Sequence, residues 1–139
     1  MKKIEGWEER LHHFLIENRE KPFEWGSWDC CKFVDAAVVS MTTKHLIPDE
    51  LTWTNEEEAQ AAIGSYGRTL SRSIAKAAKA AGLTAVNPGD VGKGDVVVIK
   101  DAGARVAGLC DGYAILSPSD DGYTYRPKSQ AHKVFRING

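Results

Sequence analysis

The spacing of the apolar residues changes at Pro88, and this change limits the fold more than any other feature of the 139-residue chain. Before Pro88, apolar residues recur every three or four positions, which is typical of amphipathic helices. After it, short apolar runs are separated by turn signals, which is typical of strands joined by tight turns. The order predicts an α+β fold, with N-terminal helices packed on a C-terminal antiparallel β-sheet. We assign residues 1–139 to a single domain, because a chain of this length buries one core.

Four helices are predicted before Pro88. The best defined follows Asp29, a good N-cap residue, because an apolar face begins directly after it. Another follows Asn55, where three glutamates occupy the first turn and favour the positive end of the helix dipole. The predicted helices cover about residues 4–18, 30–42, 55–64 and 71–82.

The second part of the chain predicts an antiparallel meander. Asp95–Ile99 is a continuous apolar run after its first residue, which indicates a strand buried on both faces. Asp111-Gly112 and Asp121-Gly122 mark turns between later strands. The predicted strands cover residues 95–99, 106–110, 113–116, 123–125 and 131–137, and the last of them closes the sheet.

Composition narrows the partners that we expect. The formal net charge of -1 gives no general attraction to nucleic acid. No apolar run approaches the roughly 18 residues of a membrane span, and acidic residues stand where a signal peptide has its apolar stretch. Gly92-Lys93-Gly94-Asp95 precedes a strand, whereas a phosphate loop precedes a helix. We therefore expect no cofactor, no nucleic acid partner and no membrane-spanning segment.

The run Trp28-Asp29-Cys30-Cys31 contains the strongest candidates for reactive side chains. If Asp29 caps a helix, Cys30 lies in the first turn, where the helix dipole lowers a thiol pKa and makes the sulfur nucleophilic. Cys31 points about 100° away around the helix, so the two thiols do not easily share one role. The alternative is that both are small apolar fillers under Trp25 and Trp28, because free cysteine is among the most buried residue types. The spacing alone leaves both interpretations open.

Other residues are candidates around this run. A nucleophilic cysteine needs a base, and His132, on the last predicted strand and on the same face as Val134, is the candidate. Trp25, Trp28 and Asp29 are candidates for a groove beside Cys30. A further alternative is a metal or iron–sulfur site that uses Cys30, Cys31 and Cys110 and is completed by another chain, although no CxxC spacing exists. The odd number of cysteines argues against a disulfide framework and favours a reducing compartment.

Three segments resemble the NlpC-like cysteine peptidases, bacterial and phage cell-wall hydrolases with a permuted papain-like fold. Trp28–Val34 is similar to their D-C-S-G-F/L-V signature, and the resemblance implies that Cys30 is the nucleophile. Gly94–Ile99 is similar to their G-D-[LV]-V strand. Val106–Gly112 is similar to H-V-G-I-x-x-G, but Val106 stands where the family has its catalytic histidine. The resemblance spans roughly residues 22–117.

The chain also has an F-x-W-G-x-x-D-C-C opening, a G-D-V-V strand, an A-G-L-C segment and the ending Val134-Phe135-Arg136-Ile137. In these features it resembles small phage and prophage proteins that are NlpC-like in outline and associated with tail genes. This resemblance implies a tail-tip or baseplate component that contacts other tail and baseplate hub proteins. Such a chain is made in the host cytoplasm and ends in the tail of the virion. Two functions follow as expectations. One is a structural or binding role on a degenerate peptidase fold, and the other is an active peptidoglycan endopeptidase that uses Cys30 and helps the tail cross the cell wall.

Overall fold

The computed structural model describes residues 1–101 and 103–139. Within these residues the fold is α+β, with four α-helices followed by a six-stranded antiparallel sheet. The prediction of helices first and sheet second is therefore confirmed. The helices are α1 (Trp7–Glu17), α2 (Cys30–Thr42), α3 (Glu56–Gly67) and α4 (Leu70–Ala80).

Side-chain caps set where three of the helices begin. Asp29 accepts a hydrogen bond from the backbone N–H of Lys32 at the start of α2, as its position predicts. Asn55 caps α3 and Thr69 caps α4 in the same way. The predicted bounds of α2 are correct, whereas α3 continues three residues past Gly64, the predicted end. In the part of the chain that the structure describes, no helix is both long and apolar enough to cross a membrane.

The sheet is not a simple meander. Its order is β1–β6–β2–β3–β4–β5, so β2 to β5 follow one another, but the last strand returns to lie between β1 and β2. This return buries β2 in the centre of the sheet, beside a strand on each side. The strands are β1 (Thr84–Val86), β2 (Val96–Asp101), β3 (Ala104–Cys110), β4 (Ile115–Ser119), β5 (Gly122–Arg126) and β6 (Ala131–Arg136).

Two strand predictions are corrected by the structure. The strand expected from Tyr113 begins instead at Ile115, because Asp111 accepts hydrogen bonds from the N–H groups of Tyr113 and Ala114 and holds them in a turn. The three-residue strand β1 is missing from the prediction. It carries too few residues to show an alternating pattern, and its pairing with β6 holds it in place.

The two faces of the sheet bury different side chains. On one face Val96, Val98 and Ala107 pack against the helices in the main core. On the other, Val97 and Ile99 belong to a smaller core. All four residues of the Val96–Ile99 run are inaccessible to solvent, so the predicted burial of this strand on both faces is confirmed.

An ion pair between a buried carboxylate, Asp95, and the partly exposed Arg136 ties β6 to the start of β2. Asp95 is 1% exposed, and Arg136 donates to both of its carboxylate oxygens, with Nε–Oδ1 at 3.0 Å and Nη2–Oδ2 at 2.8 Å. Gly92 adds a backbone N–H to Oδ2, and the Asp90 carbonyl accepts from Arg136 Nη2. The carboxylate thus keeps a paired cation and a full set of donors in place of water.

Arg136→Leu is expected to lower the free energy of unfolding by about 2–3 kcal/mol, because Asp95 would remain buried without its cation. Urea denaturation measures the change. The exposed pair between Lys93 and Glu8, 3.8 Å apart, provides the control, since Lys93→Gln is expected to change the stability by less than about 0.5 kcal/mol. Equal losses in the two variants would contradict a structural role for the Asp95–Arg136 pair.

Candidate functional site

The start of α2 is fixed by a buried carboxylate. Asp29 is 1% exposed and accepts three hydrogen bonds. Its Oδ1 accepts from the N–H of Lys32 at 2.9 Å, and its Oδ2 accepts from the N–H of Gly26 at 2.9 Å and from Trp53 Nε1 at 2.7 Å. The cap therefore also joins the loop before α2 to the loop before α3.

Gly26 has to be glycine for this arrangement. Its φ is +86°, in the left-handed region, and a Cβ atom would lie 2.9 Å from the Cα of Thr54. The close approach brings the backbone beside Trp53 against the turn that holds Asp29. This part of the site is built by backbone contact, so it leaves no spacing pattern in the sequence.

Cys30 is half-buried as a residue, and its sulfur lies among hydrogen-bond donors. The hydrogen bond from the Cys31 thiol has the largest effect and lowers the pKa of Cys30, and the backbone N–H groups of Ala107 and Cys31 lower it further. Burial and the charge of Asp29 act in the opposite direction. The net direction is a lowered pKa, so Cys30 ionises at a lower pH than an ordinary thiol.

Cys31 has the opposite environment. Its hydrogen bond to Cys30 and its burial raise its pKa well above the usual value. It faces a narrow apolar cavity of about 40 Å³ whose walls include Leu51, Trp53 and Ile74. The adjacent thiols therefore differ in role, with Cys31 as a core residue and hydrogen-bond donor and Cys30 as the sulfur that is suited to reaction.

β3, the strand beside Cys30, has an alanine and not a histidine next to the sulfur. Ala107 on β3 is paired with Val98, on the sheet face that packs against the helices. Val106 is paired with Ile99, which belongs to the other face. A histidine at position 106 of this strand would point away from α2, because neighbouring side chains alternate between faces.

The structure does not bring His132 to Cys30. His132 is an exposed residue of β6, two strands away from β3 in the sheet. Slight burial and the charges of Arg105, Lys133 and Lys100 lower its pKa. In the described residues, the groups that act on Cys30 are Cys31, Ala107 and Asp29.

The proposed three-cysteine metal site is not assembled. Cys110 belongs to the smaller core on the face opposite Ala107, and burial raises its pKa. Cys110 therefore does not lie beside Cys30, and the expected site shared by the three cysteines does not form. Among the described residues, no three side chains of His, Cys, Asp or Glu lie close enough together to hold a metal ion.

The two tryptophans of the first loop have different positions. Trp28 is 3% exposed and packs edge-on against Phe33, with ring centroids 5.5 Å apart, so it is a core residue. Trp25 is 40% exposed and packs against Phe23. Of the predicted groove residues, Asp29 supports Cys30 by fixing the turn, and Trp28 supports it by packing under the helix.

Sequence reasoning missed Trp53 and Ala107. Trp53 supplies the indole donor to Asp29 from a loop 24 positions away, where neither spacing nor composition connects the two. Ala107 supplies a backbone N–H, which any residue other than proline offers. The only available signal was the alternation along β3, which places positions 105, 107 and 109 on the helix side.

Alkylation is expected to separate the three cysteines. Cys30 is expected to react with iodoacetamide at a lower pH than an ordinary thiol. Cys31 and Cys110 are expected to react only after unfolding, because the hydrogen bond to Cys30 and burial raise the pKa of Cys31, and burial raises the pKa of Cys110. Mass spectrometry of samples labelled across a pH series measures each site. Cys31→Ala is expected to raise the pKa of Cys30 by removing its main donor, and Cys110→Ala is the control that leaves it unchanged. A Cys30 that titrates above an ordinary thiol would contradict the arrangement.

Cys30→Ala is expected to lower the free energy of unfolding by about 1–2 kcal/mol, because the N–H of Ala107 loses its acceptor. Cys30→Ser keeps an acceptor at this place and is expected to cost less. Urea denaturation of the two variants measures the difference. A Cys30→Ala protein as stable as the natural chain would show that the sulfur has no structural use.

Comparison with known proteins gives one result that covers almost the whole chain. A family model described as a domain of unknown function, DUF6950, matches residues 2–137. No curated protein matches the chain significantly. The match includes the Asp29 cap, Cys30 and the entire sheet, so the site described above lies within the family's domain. The chain belongs to the DUF6950 family.

Proposed function

We propose that this chain is a tail-tip or baseplate component of a phage or prophage, with a structural or binding role on a degenerate NlpC-like cysteine-peptidase fold. The observation that carries the proposal is the combination at the start of α2. The cysteine and its cap match the peptidase signature, but the strand beside the sulfur presents Ala107 instead of an imidazole.

The chemistry of amide cleavage explains why this combination favours loss of activity. After a thiolate attacks a peptide carbonyl, the amine leaving group needs a proton, and a positioned acid contributes a factor of about 10²–10⁴. Cys31 is a thiol whose pKa is raised well above the usual value, and it lies in the core, so it is a poor acid for this step. The site retains a nucleophile and lacks its partner.

The arrangement of the sulfur supports the same proposal. The Ala107 N–H is directed at Cys30, and the Ala107 carbonyl accepts a hydrogen bond from the Ser117 hydroxyl at 2.9 Å. The sulfur thus takes part in the hydrogen bonding of the sheet. A residue that has become structural in this way remains in place after catalysis is lost.

The second candidate function is an active peptidoglycan endopeptidase. The lowered pKa of Cys30 favours it, because a thiolate is the nucleophile of cysteine peptidases. Such an enzyme requires a base from outside the described environment of Cys30. An adjoining subunit of the assembled tail is one source, and movement of His132 is the other.

Digestion of purified peptidoglycan separates the two functions. The natural chain, Cys30→Ser and Cys30→Ala are each incubated with peptidoglycan sacculi, and released fragments are measured by chromatography and mass spectrometry. We expect the three to release equal, background amounts of fragments. Release by the natural chain that is lost in both Cys30 variants, with all three folded, would establish the endopeptidase and overturn the degenerate site.

The tail location has its own test. A tagged chain is expressed in the lysogen or infected culture that encodes it, and particles are purified by density gradient. We expect the tag to co-sediment with tails and to crosslink to hub proteins. A chain found only in the free cytoplasmic fraction, with normal tails assembled beside it, would overturn the proposed location.

A further inference from the structure

An open groove between α1 and the β4–β5 end of the sheet is lined by most of the large apolar side chains that are exposed in the described residues. Four large apolar side chains are exposed in the part of the chain that the structure describes, and three of them line this groove. They are Ile16, 43% exposed, Tyr113, 90% exposed, and Tyr125, 65% exposed. Clustered exposed apolar groups, with tyrosine among them, are typical of interaction surfaces.

The groove has a volume of about 300 Å³ and lies on the helix-facing side of the sheet. Leu116 forms part of its floor and is paired with Tyr125 across β4 and β5. One wall is fixed, because the Tyr123 hydroxyl donates to the carbonyl of Leu15 in α1 at 2.8 Å. The site is distinct from the start of α2, since Cys30 does not line it.

The strand beside the groove has a free edge. β5 is the last strand of the sheet order, and Pro118, which has no N–H, lies opposite Tyr123. Because hydrogen-bonded and non-hydrogen-bonded pairs alternate in an antiparallel ladder, Thr124 is hydrogen-bonded to Ser117, and the backbone groups of Tyr123 and Tyr125 point outward. An extended segment of another chain fits such an edge.

Charge indicates the composition of that segment. Arg19 and Lys93 line the groove together with one carboxylate, Asp111. Both hydrogen bonds described for that carboxylate come from its own turn, so it is already engaged. Among the contacts described, the Arg19 guanidinium binds only the carbonyl of Ile16. Lys93 lies 3.8 Å from Glu8, and Asp111 keeps its negative charge. Among the contacts described, Arg19 has no carboxylate partner, so it is the cation of the groove that is complementary to an acidic side chain.

We propose that this groove binds an extended, acidic peptide segment of a partner protein by adding it as a strand to β5. Its backbone pairs with Tyr123 and Tyr125, its apolar side chains contact Tyr113 and Tyr125, and a carboxylate reaches Arg19. This inference rests on the proposed binding role in the tail and names the surface and the class of partner. It does not depend on the chemistry of Cys30.

A random library of nine-residue peptides, displayed on phage, is selected against the full chain, and one selected peptide is then labelled with fluorescein. We expect the selected sequences to alternate apolar residues along the strand and to be enriched in Asp and Glu. Binding of the labelled peptide is measured by fluorescence anisotropy at several salt concentrations. Selection of basic sequences, or of none, would overturn the proposal.

A pair of substitutions at one position tests strand addition. Tyr125→Val keeps the outward N–H and removes the aromatic ring, whereas Tyr125→Pro removes the outward N–H as well and leaves the pairing with β4 intact. We expect the proline variant to bind about tenfold more weakly than the valine variant. Equal binding by the two variants, with circular dichroism showing both folded, would exclude pairing at this edge.

Two further variants test the groove itself. Arg19→Gln is expected to weaken binding about three- to tenfold and to reduce its salt dependence. Trp25→Ser is the matched control, because Trp25 is the exposed large apolar side chain outside the groove. Loss of binding in Trp25→Ser equal to that in Arg19→Gln would overturn the assignment of the surface.

Other occupants give different results. A dimer in analytical ultracentrifugation that Tyr125→Pro dissociates would identify a second copy of the chain as the occupant. Binding of soluble glycan fragments that Tyr113→Ala abolishes, without peptide selection, would identify a saccharide. Either result would overturn the peptide proposal.

The two proposals fail separately. If the chain co-sediments with tails but selects no peptide, only the peptide inference fails. If it selects acidic peptides but is absent from tails, only the tail location fails.

Discussion

The buried carboxylate of Asp29 is the interaction on which the rest of the site depends. A carboxylate at 1% exposure is stable only when its oxygens have donors, and here three donors come from three separate segments. Lys32 belongs to the helix, Gly26 to the loop before it, and Trp53 to the loop before α3. The cap that begins α2 thus also fixes the position of Cys30 relative to the neighbouring loops.

This arrangement lowers the pKa of Cys30 through hydrogen-bond donors rather than through a neighbouring cation. Asp29 is close enough to Cys30 for its negative charge to raise the thiol pKa, which opposes the lowering by the Cys31 thiol and the Ala107 N–H. The hydrogen-bond donors have the larger effect, so the net pKa of Cys30 is lowered. In a peptidase an imidazolium would supply the compensating positive charge. Here backbone and thiol donors do so.

Local signals in the sequence predicted a large part of this structure. The Asp29 cap and the apolar face after it defined α2, and the Val96–Ile99 run correctly indicated a central strand. The return of β6 beside β2 was not predictable, because strand order depends on long-range packing rather than on turn residues. The same limit applies to Trp53, whose contact with Asp29 joins distant loops. Alternation along β3 did carry the information that Ala107, and not Val106, faces α2.

The position of Ala107 shows how a cysteine sulfur takes part in the hydrogen bonding at the edge of a strand pairing. β3 and β4 pair at Leu109–Leu116 and Cys110–Ile115. At Ala107 this backbone pairing has ended, and side chains supply the hydrogen-bond partners. The Ser117 hydroxyl satisfies the Ala107 carbonyl, and the Cys30 sulfur accepts from its N–H. Since a buried N–H without an acceptor costs about 1–3 kcal/mol, the sulfur stabilises the fold at this point. A sulfur at this place therefore contributes to the stability of the fold whether or not Cys30 reacts.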